Sequence, residues 1–189
     1  MPNWCRNELS FSGNEKDMGD FISGLTKGVE SGQVVASILE TYAPLPTGVE
    51  HDGITQSDWW GCKWKDQFAS PDWDNPKDYA MLSFDTPWGP PFEGLQKISA
   101  RWPQLSFSLQ YREEGMCFAG VAAWSAGVKL FEHEMEIPEF YYPEEDDYLD
   151  ITGELDEAAY QEASDIASAV EYKFYNKLDD LLQEALEKQ

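Results

Sequence analysis

The sequence predicts an α+β fold: an antiparallel sheet, followed by a long acidic C-terminal helix. Three observations carry this. Leu105, Phe107, Leu109 and Tyr111 alternate with Ser106, Ser108 and Gln110, a period of two that buries one face of a strand and wets the other. Turn sequences at Glu113-Glu114-Gly115 and Ser125-Ala126-Gly127 bound two further runs, 116–124 and 128–137, and connections this short join antiparallel neighbours. From Glu154 to Glu187, Leu155, Ala159, Ala163, Val170, Phe174, Leu178, Leu181 and Ala185 keep a three/four spacing.

The earlier elements follow in chain order. Glu8 to Ser12 alternates and stops at Gly13-Asn14, which predicts a short strand. Asn14 then caps a helix carrying Met18, Phe21, Ile22 and Leu25, closed at Gly28. A second helical pattern begins at Ser31, carries Val34, Val35, Ile38, Leu39 and Tyr42, and ends before Pro44. Residues 47–78 are rich in Gly, Asp, Pro and Trp, and only Cys62 to Phe68 has strand character. Tyr79 to Asp85 reads as a buried strand, and the turn Thr86 to Pro91 leads into a helix bearing Phe92, Leu95, Ile98 and Trp102. The domain expectation is therefore an α+β domain over 1–137, an acidic linker over 138–153 and an amphipathic helix over 154–189. At about 1.5 Å per residue the helix reaches about 50 Å. It packs along the sheet, breaks in two, or pairs with a second subunit as a homodimer.

Thirty-six acidic against thirteen basic residues give a net charge of −23. Such a field opposes phosphate backbones and anionic membranes, so neither nucleic acid nor membrane is expected as a direct partner. The acidity is uneven, because residues 132–189 hold nineteen Asp/Glu and only three Lys. Apolar residues at 42% and eight Trp supply ample core. The first residues lack the basic start and apolar run of a signal peptide, and no stretch approaches a membrane span; a cytoplasmic address in a bacterial host is expected. Cys5, Cys62 and Cys117 are odd in number and scattered, as in a reducing compartment.

Four segments carry a family likeness: Met1-Pro2-Asn3-Trp4-Cys5-Arg6-Asn7-Glu8-Leu9, Trp60-Gly61-Cys62-Lys63-Trp64, Phe84 to Pro91, and Tyr111-Arg112-Glu113-Glu114-Gly115. Over roughly residues 1–127 the chain resembles the YubB-like family of plasmid and phage proteins. The resemblance implies a ferredoxin-like α+β sandwich and a mobile-element origin; it implies no established activity. The acidic segment and helix after Gly127 have no counterpart in that likeness.

No catalytic residues are expected. Cys5, beside Asn3, Trp4 and Asn7, is the best nucleophile on offer, but neither His51 nor His133 is tied to it, so the group reads as core and turn. There is no C-x-x-C or H-x-x-x-H pair, and neither metal nor cofactor is expected. Trp59, Trp60, Trp64, Trp73 and Trp88 resemble a base-stacking platform in composition, but Lys63 and Lys65 stand among Asp58, Asp66, Asp72 and Asp74, so packing under a loop is expected instead.

The acidic segment supports a sharper expectation. Glu132 to Glu157 contains twelve acids and no Lys or Arg. Glu132, Glu134 and Glu136 share one face of a strand, about 6.8 Å apart, a spacing of the order of that between successive phosphates on one nucleic-acid strand. Glu139, Glu144, Glu145, Asp146, Asp147, Asp150, Glu154, Asp156 and Glu157 continue the track. Two explanations compete for it: a solvated acidic surface that serves solubility, and a ridge that fills a basic groove. Combined with the family likeness, the leading expectation is a phage or plasmid accessory protein. As an inhibitor of the anti-CRISPR or anti-restriction type, it would block a basic host nucleic-acid-binding defence protein, a nuclease or CRISPR effector subunit, by acidic nucleic-acid mimicry. A non-mimic module docking through Tyr141, Tyr142 and Tyr148 is the alternative, and a cysteine-dependent enzyme comes third.

Overall fold

The structure is a computed structural model that describes residues 2–27, 35–73, 78–137, 144, 148–149 and 155–187. The chain divides into two compact units, Met1–Glu136 and Ile137–Gln189.

The first unit runs β1 (Trp4–Ser12), α1 (Glu15–Thr26), α2 (Ile38–Tyr42), α3 (Gly53–Trp60), β2 (Gln67–Asp72), β3 (Tyr79–Pro87), α4 (Phe92–Arg101), β4 (Ser106–Glu113), β5 (Phe118–Ser125) and β6 (Val128–Glu136). Its strands form one antiparallel sheet in the order β2-β3-β1-β4-β5-β6. The first four strands, with α1 and α4 as the crossing helices, make the split βαβ arrangement of a ferredoxin-like domain, and β5 and β6 extend it beyond β4.

Period-two patterning sets the core. Leu9 and Phe11 of β1, Leu82 and Phe84 of β3, Phe107, Leu109 and Tyr111 of β4, and Trp124 of β5 point to one face. Met18, Phe21 and Leu25 of α1, Ile38 and Leu39 of α2, and Leu95 and Ile98 of α4 join them in one cluster. The aromatic rings interlock: Phe21 packs on Phe11 at 4.7 Å and stacks on Tyr42 at 4.6 Å. Glu8, Ser10, Ser108 and Gln110 line the opposite face, where Ala119, Val121 and Ala123 are also buried, outside the main cluster.

Some elements depart from the sequence expectation. The second helix, as described, begins at Ile38, because Ser37 caps it and the buried Asp66 carboxylate accepts from Ile38 N at 3.1 Å, Leu39 N at 3.0 Å and Ser37 Oγ at 2.6 Å. Residues 28–34, with Gly28, Ser31 and Val34, lie outside the described residues. Within 47–78 the structure adds a helix to the strand expected there; α3 forms where Asp52 Oδ1 accepts from Ile54 N at 3.0 Å and Thr55 N at 2.7 Å. Strand β2 starts at Gln67, so Cys62–Lys65 belongs to the connection. Met116 lies in the turn, and β5 begins at Phe118.

Gly120 allows β5 to pass between its neighbours. A Cβ there would lie 2.4 Å from Tyr111 Oη and 2.6 Å from the His133 carbonyl, and the second contact is backbone that cannot swing aside. Gly120→Ala is expected to cost about 1–3 kcal/mol, as overpacking does, measured by chemical denaturation.

The second unit contains α5 (Glu157–Glu187), unbroken over 31 residues and about 46 Å long, which rules out a helix broken in two. Its described start is Glu157, with Asp156 as cap: Asp156 Oδ1 accepts from Ala159 N at 3.1 Å. Ala167, Phe174 and Leu178 are buried, while Ile166, Val170 and Tyr172 are exposed. Leu149 and Leu155 form an isolated bridge, and Tyr148 meets Tyr160 edge-on at 5.9 Å.

Candidate functional site

Strand β6 forms one edge of the sheet, and seven of its nine residues are exposed. Cross-strand register sets its faces: Glu132 is opposite Ala122, Glu134 opposite Gly120 and Glu136 opposite Phe118, so these three carboxylates share the helix-bearing face. Phe131, His133 and Met135 take the other face. Alternation along an extended strand spaces the carboxylates about 6.8 Å apart.

A bulge changes the charge at one end of this row. The register jumps between Ala123 and Trp124, which leaves Leu130 as the extra residue and turns Lys129 onto the acidic face. Lys129 forms an ion pair with Glu132 and sits 5.1 Å over the Phe92 ring. The track is therefore opposed by base at its first carboxylate, which spacing alone did not reveal. Glu134 accepts a hydrogen bond from Tyr111 Oη at 3.3 Å. Burial, with the Glu134 and Glu132 charges behind it, pushes the Tyr111 phenol upward, so the hydroxyl stays a donor.

Of the other track residues, Glu144, Asp156 and Glu157 are described and exposed. They belong to the second unit, where Asp156 and Glu157 complement the α5 N-terminus. Glu139, Glu145, Asp146, Asp147, Asp150 and Glu154 lie outside the described residues, as do Tyr141 and Tyr142. Tyr148 is half-buried against Tyr160.

The motif residues at the sheet's other end chiefly bond one another. Asn7 is buried and donates to Cys5 O at 2.8 Å and Thr86 Oγ1 at 2.8 Å; Thr86 donates to Gly89 O at 2.8 Å, and Trp88 N donates to Asn3 O at 2.9 Å. Buried Glu113 accepts from Gly115 N at 3.0 Å, and a Cβ on Gly115 would strike Asn3 Nδ2 at 2.6 Å. A cleft of about 250 Å³ lies here, lined by Asn3, Trp4, Arg6, Arg112, Glu113 and Glu114 among others. Arg6 and Arg112 are cross-strand partners, and Glu114 lies 3.8 and 3.9 Å from them. Two carboxylates and two guanidiniums thus line the cleft, which carries no net positive charge.

Cys5 and Cys62 are buried, and burial raises both thiols above their ordinary range, the opposite of an activated nucleophile. Cys117 is exposed. In the native protein, a thiol-alkylating reagent at pH 8 is expected to modify Cys117 and leave Cys5 and Cys62 until denaturant is added; mass spectrometry reads the difference. Prompt labelling of Cys5 would contradict this. Among the described residues, no three His, Cys, Asp or Glu side chains converge as a metal site, and no helix is long and apolar enough to cross a membrane. Trp60 is buried and donates to Ala43 O at 2.7 Å, as Trp59 does at 3.0 Å; Trp64 meets Trp4, Trp73 meets Phe11, and Trp88 is exposed.

Residues 59–159 match the family described as the ferredoxin-like domain in Api92-like protein. The chain belongs to that family. Its match runs past Gly127 through β6 and the acidic segment to the first turn of α5, so those carboxylates lie within the span of the family match. The crystal structure of protein api92 from Yersinia pseudotuberculosis is similar at a TM-score of 0.56 and 13% identity, covering 74% of this chain and 100% of that one. At that identity the likeness shows the ferredoxin-like fold alone. No curated protein matches.

Proposed function

We propose that this Api92-like chain is a phage or plasmid accessory protein, as its YubB-like motifs suggest, and that it inhibits a host nucleic-acid-binding defence protein by presenting carboxylates in place of phosphates. The observation that carries this reading is the β6 row, Glu132, Glu134 and Glu136, which is exposed on an edge strand with its carboxylates about 6.8 Å apart. The net charge of −23 draws it toward a basic groove and keeps it off nucleic acid itself. The target class is a nuclease or CRISPR effector subunit.

Such binding is electrostatic in large part, so raising salt from 50 to 200 mM is expected to weaken it by at least about tenfold. That is a shallower loss than the about 10³–10⁵ of proteins gripping six to ten phosphates, because a carboxylate row condenses fewer counterions than DNA. Capture from nuclease-treated host lysate, followed by a salt step, is expected to release basic nucleases or effector subunits. Recovery of metabolic proteins, or a complex indifferent to salt, would overturn the proposal.

A further inference from the structure

We infer that the outer edge of β6 receives an extended segment of the basic partner by strand addition, with Lys or Arg at alternate positions opposite Glu132, Glu134 and Glu136. The inference rests on the functional reading above and adds the binding mode. Among the described residues β6 pairs with β5 alone, so its outer row of backbone N–H and C=O groups has no neighbouring strand. Glu132, His133 and Glu134 are consecutive and all exposed. Successive strand residues point to opposite faces, so side chains on both faces reach solvent at these three residues.

An edge of this kind is a template for another strand, and the side chains on it decide which strand is admitted. A second copy of β6 would bring glutamates against glutamates, and like charges directly opposite are unfavourable. Lys129, the only Lys or Arg on the strand, is already paired with Glu132 and lies beyond the Leu130 bulge, where the regular ladder is interrupted. From Phe131 to Glu136 the edge therefore rejects its own copy and favours a strand with cations every second residue, about 6.8 Å apart. Half-buried Phe131 and Met135 on the other face offer apolar contact to the residues between those cations. Backbone pairing supplies affinity and alternate side chains supply selection, as in other strand-addition complexes.

The test uses the full-length protein and three fluorescent ten-residue peptides: alternating Lys and Thr, the same composition as five Lys followed by five Thr, and alternating Glu and Thr. Strand addition predicts that the alternating Lys peptide binds at least tenfold tighter than the blocked one and that the Glu peptide does not bind. It also predicts slower amide hydrogen exchange confined to residues 131–136. Equal binding of the two Lys peptides, or binding without that protection, would overturn strand addition; if that binding remained salt-sensitive and was lost on neutralising β6, charge mimicry would stand. Failure of the alternating Lys peptide to bind at 1 mM would also overturn strand addition, and the lysate capture would then judge mimicry separately.

Discussion

Asp66→Ala is expected to lower the stability of the first unit by about 2–4 kcal/mol, more than an ordinary cap loss, because one buried carboxylate serves three donors. Ser37 Oγ, Ile38 N and Leu39 N all point at it, and its removal leaves the α2 N-terminus without these partners inside the protein. Burial pushes the Asp66 carboxyl upward while these same three bonds pull it down. Asp66→Asn keeps one acceptor oxygen but turns an NH₂ toward groups that already donate, so it recovers only part of the loss. At about 2–4 °C per kcal/mol for a chain of this length, the alanine variant should melt about 4–16 °C lower by differential scanning calorimetry. A midpoint within about 2 °C of wild type would show that α2 does not depend on this carboxylate.

Glu132→Gln, Glu134→Gln and Glu136→Gln made together are expected to weaken capture of the basic host target at least about tenfold at physiological salt, or about 1.4 kcal/mol. The fold should not suffer. All three positions are exposed, and Glu134→Gln retains an oxygen for the Tyr111 hydroxyl. Removing like charges from one strand face relieves repulsion, while losing the exposed Lys129–Glu132 pair costs little. Circular dichroism melts checked beside affinity by surface plasmon resonance separate the two effects. Alanine at Tyr141, Tyr142 and Tyr148 with the acids intact should leave affinity within about twofold; if the tyrosine variant loses binding and the glutamine variant keeps it, the aromatic docking alternative replaces mimicry.

Much of the sheet was legible because β1 and β4 alternate strongly. Leu105 to Tyr111 reads as a half-buried strand, and the turns around Gly115 and Gly127 force its neighbours to return beside it. Helix α3 was not legible, since its start depends on Asp52 among many Asp residues and its residues show no clean apolar stripe. The Ser37 start of α2 was hidden for a related reason: its capping carboxylate comes from Asp66, 28 residues beyond Ile38. At the candidate site, period two placed Glu132, Glu134 and Glu136 on one face. The pairing of Lys129 with Glu132 depends on the Leu130 bulge, a register shift that only the partner strand reveals. The cleft between Arg6 and Arg112 likewise joins residues 106 positions apart, which neither period nor spacing connects.

Displacement of labelled double-stranded DNA from the captured host protein tests the central claim most directly. Mimicry predicts that the wild-type chain releases the DNA competitively, so that its apparent affinity falls in proportion as DNA is added, and that the triple glutamine variant of β6 does so at least about tenfold less well. Simultaneous binding of DNA and the wild-type chain to the same host protein, with no change in either affinity, would contradict it.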